Sequence, residues 1–490
     1  MSDRDNKQEP DVVVGTDLTV AEVELAQDTK RDKKILFKID TVVLTLVTLV
    51  ATLEFLDKNG MAYAAVWGMR TDTDLVGQQY SWLGSIFYFG YLAALFPCLY
   101  LVNVVHTGIF VGIVTTLWGI TLLCMAACTN FGGLATVRLF LGIFEAGILP
   151  SFMVLQAKWW RRSEQALRTA LWYNTFAGIF GGILSFAIGH IQGKLAVWRY
   201  IFLIYGSVTV LLGIIVVLAL PDSPVNAWFL SHDERLRATA RLAENQQGQD
   251  AKKFNFKHCV EAVRQPRYWV VLIFVLAQSI TNAGITNFNP LIISGFGYSQ
   301  SKTTLMATPQ AAVALVAQVV LSLMALYIPN IRCLLWMLSC LPALAGAIMV
   351  HVLDSQIQRQ AALAGVYLMG FYNVPWVLCL SLVTSNTAGT TKKSFSSVSV
   401  AIAYAVGNII GPQFFLSSQS PTYYLGIYAM MVCFAVMFAC GGVYWALVYY
   451  ENRRRDRLYG VPSLGQSDVV NEVFHAGDTD GVNKQFRYSY

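Results

Sequence analysis

The sequence predicts an all-α membrane protein of twelve transmembrane helices, six before and six after a polar central stretch. Hydrophobic residues fill 55% of the 490 positions and charged residues only 13%, whereas a soluble globular chain carries about 25% charged residues. A water-facing surface cannot be built from so few charges. No Asp, Glu, Lys or Arg lies between Asp74 and Arg138, or between Lys393 and Glu451. Each gap is longer than two crossings of roughly 20 apolar residues. Apolar runs bounded by polar or Gly/Pro residues then recur in two sets of six.

The elements follow in order. Residues 1–37 are polar and rich in Asp, Glu and Lys, which fits neither a signal peptide nor an Arg-rich, acid-poor presequence; the first apolar helix therefore doubles as the insertion signal. Within 38–220 the runs predict helices near 39–55, 80–102, 107–128, 134–157, 166–191 and 200–220. The connecting stretch 221–267 has its own pattern. Ser231 and Glu234 have the spacing of a capping box, with Leu236, Ala240 and Ala243 on one face before Gly248. A second short helix near 254–263 precedes Pro266. These can form a surface element or simply a solvated link. Within 268–450 the predicted helices are 268–293, 305–327, 334–352, 361–384, 396–416 and 424–449. The tail, 451–490, reads as disordered beyond about Gly460.

Basic residues set the orientation. With both termini inside, 28 of the 35 Lys and Arg residues fall on the inner side and six (Lys58, Arg70, Lys194, Arg199, Lys302 and Arg359) on the outer, leaving Arg138 within the membrane. A multi-pass protein with both termini in the cytoplasm is expected, with the plasma membrane as its site. The formal charge of +6 follows from this asymmetry and does not indicate a nucleic-acid partner.

Enzymatic chemistry has no foothold. Eight of the nine cysteines, all but Cys259, sit in apolar stretches, and no C-x-x-C pair occurs. There is no G-x-x-x-x-G-K-[ST] phosphate loop, paired-His motif or nucleophile elbow. No catalytic residue, cofactor or metal site is expected, and the chain is read as a monomer.

Ionisable groups in a spanning helix are costly, so they default to functional candidates. Glu54 and Asp57 lie one turn apart in the outer third of the first helix. Arg138, roughly 10 Å below the outer end of the fourth helix, is at similar depth and is expected to pair with them. Glu145, two turns further along, has no evident cation and is expected to take up and release protons. The alternative is a structural ion pair with a permanently protonated Glu145. On the seventh helix Gln278, Asn282, Thr286 and Asn289 form a polar stripe that either lines a solute path or bonds to a neighbouring helix. On the eleventh, Gly407 and Gly411 make a close-packing face with Tyr404 and Asn408 beside it.

Several motifs carry a family resemblance. They are Leu56-Asp57-Lys58-Asn59, the run from Arg138 to Gly147, Trp159-Trp160-Arg161-Arg162, Val197-Trp198-Arg199-Tyr200, Pro221-Asp222-Ser223-Pro224, the run from Asn386 to Lys393, and Gly407 to Gln413. Together, over about Lys38 to Arg457, the chain resembles the major facilitator superfamily, in particular the fungal allantoate permease branch of the anion:cation symporters. The resemblance implies two six-helix bundles that alternate access to a central site, and uptake of carboxylate-bearing metabolites or vitamins with protons. By position, Asp57 and Glu145 look like the proton-coupling carboxylates, with Glu54 added beside them where the family has a small residue. Lys58 takes the place of a substrate-binding Arg, and Arg138 is similar to the family's helix-four arginine. Lysine at 58 lacks the planar fork that grips a carboxylate, and the loop from Tyr100 to Gly108 lacks the charged residues of the superfamily's gating motif.

The leading reading is a proton-coupled transporter of a small organic solute. Its binding residues would be Lys58, Arg138, Gln278, Asn282, Asn289, Tyr404 and Asn408. An exporter or facilitator of a secondary metabolite, or a solute sensor without turnover, are the alternatives.

Overall fold

A computed structural model describes residues 31–161, 164–165, 168–169, 171, 176–246, 255–354, 356–460, 479–484 and 486–490. Among these residues the regular structure is entirely helical. Eleven helices are long and apolar enough to cross a membrane. In the first bundle these are α1 (Arg31–Val66), α2 (Gln79–Val104), α3 (Thr107–Met125), α4 (Phe131–Trp159) and α6 (Val197–Ala219). The shorter α5 (Phe176–Ile188) completes the six; part of the predicted run 166–191 lies outside the described residues. Two connecting helices follow, α7 (His232–Gln246) and α8 (Phe256–Arg264). The second bundle comprises α9 (Pro266–Gly295), α10 (Gln300–Tyr327), α11 (Arg332–Val352), α12 (Arg359–Asn386), α13 (Thr390–Phe414) and α14 (Tyr424–Tyr459).

Outward-facing side chains such as Leu211, Leu218, Val316 and Leu326 are exposed and apolar, as a surface solvated by lipid tails requires. Trp118, Trp198 and Trp336 are fully buried inside the bundles. The capping box closes α7 as its spacing predicts: Ser231 N donates to Glu234 Oε2 at 3.0 Å and Glu234 N to Ser231 Oγ at 3.4 Å. The end predicted at Gly248 lies outside the described residues.

The start of α1 and the connecting helices share one end of the molecule, here called the near end. Lys38 pairs with Glu234 at 2.8 Å and Arg237 with Asp32 at 2.7 Å. At the opposite, far end the two bundles are hydrogen-bonded to each other. Tyr80 OH donates to the Asn287 carbonyl at 2.8 Å, Ser81 Oγ to Phe415 O at 3.1 Å and Ser85 Oγ to Ile409 O at 2.6 Å. Arg70 Nη1 donates to Tyr423 OH at 3.1 Å, and Ser417 N to Gln78 Oε1 at 2.9 Å. Beside this seam α5 presses on α10: a Cβ on Gly182 would come within 2.6 Å of the Thr304 carbonyl.

The tail differs from expectation. Residues 479–484 and 486–490 are not loose; they pack against the near end of the second bundle, with Thr479 and Asp480 wholly buried. Low apolar content argues for disorder only when no buried charge waits for a partner, and here the bundle supplies cations to Asp480. Residues 461–478 lie outside the described residues.

Candidate functional site

Two close helix approaches bring the buried charges together. A Cβ on Gly142 would run into the Phe87 carbonyl, and one on Gly90 into the Leu139 carbonyl. Glycine at these two positions lets α2 and α4 touch along their backbones. The helical ladder of α4 relaxes at Ala146 and Gly147, immediately after Glu145.

Within this frame Lys58 is the hub. Its Nζ lies 2.7 Å from Glu54 Oε1 on its own helix and 2.6 Å from Glu145 Oε1 across the bundle. The sequence left Glu145 without a cation. The structure corrects this, because the long lysine stem spans the depth difference between α1 and α4. Glu145 is 1% exposed and its Oε2 has no hydrogen-bond partner.

The pairing expected between Arg138 and the α1 acids is not closed by a hydrogen bond. Arg138 is buried, and its Nε and Nη2 have no partner. Asp57, also buried, instead accepts from Trp118 Nε1 at 2.8 Å, while its Oδ1 is unpartnered. Asp57, Lys58 and Arg138 nevertheless face one narrow cleft between the bundles, lined also by Gly84, Phe87, Tyr88, Thr286 and Asn287. Aromatic rings continue its wall: Tyr404 lies 6.0 Å from Tyr88 and 5.7 Å from Trp376, centroid to centroid.

The remaining polar candidates divide. Asn282 Nδ2 donates to Asn408 Oδ1 at 3.0 Å, Tyr372 OH donates to Asn282 Oδ1 at 3.3 Å, and Asn408 Nδ2 donates to the Tyr404 carbonyl at 2.8 Å. These residues form a network behind Tyr404. Gln278 is buried with Oε1 unpartnered. Asn289 turns away from the charged cleft: its Nδ2 donates to Gln310 Oε1 on α10 at 2.5 Å. Sequence reading missed Trp118, Tyr88 and Trp376. Aromatic residues are common in spanning helices, and nothing in their spacing marks those that gather around the site.

The model of the major facilitator superfamily matches residues 47–412. The chain belongs to this superfamily. An uncharacterised transporter of Schizosaccharomyces pombe is 38% identical, the match covering 97% of this chain and 92% of that protein. The allantoate permease of Saccharomyces cerevisiae is 32% identical, over 94% of this chain and 87% of the permease. Among solved structures, a bacterial homologue of the human lysosomal transporter Spinster, in an inward-facing and occupied conformation, superposes with a TM-score of 0.63 at 15% identity. It covers 83% of this chain and 96% of that one. The protein is thus a membrane transporter and not an enzyme, and the charged cleft lies between the two bundles of the fold.

Proposed function

We propose that this transporter moves a small carboxylate-bearing organic solute together with a proton. The observation that carries the reading is Arg138, a buried guanidinium that lines the cleft and whose Nε and Nη2 have no partner. Nε and one Nη form a fork that matches a carboxylate with two parallel, charge-assisted hydrogen bonds. Lys58, already held by two acids, is less available for that role. The aromatic faces of Tyr88, Tyr404 and Trp376 would cover the solute's apolar body.

Coupling follows from the charge count. Glu54, Asp57 and Glu145 share the site with two cations, Lys58 and Arg138, so the empty cluster holds one acid in excess. A bound proton neutralises that excess, and a bound carboxylate adds to it, so anion and proton favour one another's presence. Binding of both would relax the Lys58 clamp between α1 and α4 as the bundles rock.

By the charge rule, the basic residues around α7, α8 and the starts of α9 and α13 support a cytoplasmic near end. On that assignment the hydrogen-bonded far end is a closed outer gate, and the plasma membrane is the proposed site. The similarity to allantoate permease, a protein named for a carboxylate, agrees with the solute class. The test is uptake of labelled organic acids into sealed vesicles with and without an inward proton gradient. Accumulation above the bath level only with the gradient supports the reading; equal uptake of acids and their amides, gradient or not, refutes it.

A further inference from the structure

The near end of the second bundle holds a charge arrangement that the transport cleft does not use. In the first bundle, the first and fifth helices meet through an ion pair of their own. Arg168, just before α5, donates to both oxygens of Asp40 on α1, at 2.7 and 2.6 Å, and Trp160 Nε1 adds a bond of 2.8 Å. The corresponding approach in the second bundle brings two cations together, Arg267 at the start of α9 and Lys392 at the start of α13. Lys392 is 1% exposed. Two cations at one helix junction, one buried and one half-buried, need an anion.

The anion comes from the far end of the chain. Asp480 Oδ1 accepts from Lys392 Nζ at 2.8 Å and from the Ala388 amide at 3.2 Å. Its Oδ2 accepts from Arg267 Nη2, from Gln265 Nε2 at 3.2 Å and from Tyr488 OH at 3.1 Å. Burial alone would raise this carboxyl, but Arg267 and Lys392 outweigh it and hold it at about 2. The rest of the segment is clamped as a peptide ligand would be. Tyr488 lies under two guanidinium groups, Arg267 at 3.9 Å and Arg455 at 4.8 Å. Its backbone exchanges a pair of hydrogen bonds with the Asn452 amide, at 2.8 and 2.9 Å. Ser489 does the same with Asn386, at 2.8 and 2.7 Å.

We propose that the near end of the second bundle is a carboxylate-reading peptide site, filled in cis by residues 479–484 and 486–490, and that its occupancy favours the state in which the far gate is closed. The site is not built from the bundle alone. Glu261, on connecting helix α8, accepts from Lys392 at 2.8 Å and, through Oε2, from Thr479 Oγ1 at 2.7 Å. Its geometry therefore depends on how the connection between the bundles lies, and a ligand shifts an equilibrium only where its site differs between states. The helices it grips, α9 and α13, also carry Asn287 and Ile409, whose carbonyls receive the far-gate bonds. The coupling half of this proposal rests on alternating access; the docking half does not.

Hydrogen exchange on the full-length protein in detergent or nanodiscs tests both halves at once. Two sets of amides report separately: Tyr488 and Ser489 for docking, and Ser417, bonded across the gate to Gln78, for the gate. For Asp480→Asn, exchange at 488–489 is expected to quicken by about tenfold or more, the cost of losing a charge-assisted anchor, and Ser417 is expected to quicken with it. Asn452→Ala releases the tail from its other side without changing Asp480 or its cations, and serves should Asp480→Asn lose its fold; it is expected to produce the same pair of changes. Unchanged tail exchange in both variants overturns the docking site. A freed tail with an unaltered Ser417 overturns the link to the gate while leaving the transport reading standing.

Discussion

Replacing Glu145 by Gln removes one negative charge from the Lys58 cluster and almost no volume. At an effective dielectric near 20, unit charges 2.6 Å apart attract by about 6 kcal/mol before desolvation is subtracted. Lys58 is not stranded, because Glu54 still lies 2.7 Å away. The variant holds two acids, Glu54 and Asp57, against two cations, so it mimics the proton-loaded cluster and has no excess charge to neutralise. One coupled proton crossing a two-unit pH gradient supplies about 2.7 kcal/mol, enough for about a hundredfold concentration ratio. For Glu145→Gln in sealed vesicles, that ratio is expected to collapse to about one, while exchange of labelled for unlabelled solute at equal pH continues within about threefold of wild type. Uphill accumulation that survives the substitution refutes the charge-count argument. Loss of exchange along with accumulation means that Glu145 holds the site together, and refutes its role as a separable proton carrier.

Further outcomes follow from the same geometry. Arg138→Lys keeps the charge and loses the Nε/Nη fork, so KM for a carboxylate solute is expected to rise by about tenfold to a hundredfold; an unchanged KM removes Arg138 from solute binding. Trp118→Phe deletes the hydrogen bond to Asp57, whose other oxygen has none. Uptake is expected to fall by about tenfold, with a changed pH profile that distinguishes this from simple loss of packing; full activity would show that Trp118 does not position Asp57. For the tail, a carboxyl held at about 2 in the fold and near 3.9 when free contributes fully above the higher value and loses its contribution as pH falls through the lower. Protection of residues 488–489 against exchange is therefore expected to be flat from about pH 8 to pH 5 and to drop below about pH 4. A drop between pH 7 and pH 6 would point to a different anchor.

Much of this protein is legible from the order of its residues. The charge-free gaps that hold α2 and α3, and most of α13 and α14, and the capping box of α7 are local signals, and each produced the helix it predicts. Asp57, Arg138 and Glu145 stand out in a sequence because a charge in lipid needs a reason wherever it is. Which charge meets which is a different matter. The partner of Glu145 depends on how far a lysine stem reaches and on two glycines that let α2 and α4 close together. Likewise, nothing local to residues 479–490 shows that Arg267 and Lys392, 125 positions apart in the chain, leave a buried vacancy for an acid. Hydrophobic period and the cost of charge in a membrane act along the chain, so sequence determines the helices and the candidate residues. Ion pairing acts through space over a few ångströms, so only the packed bundles decide the pairs.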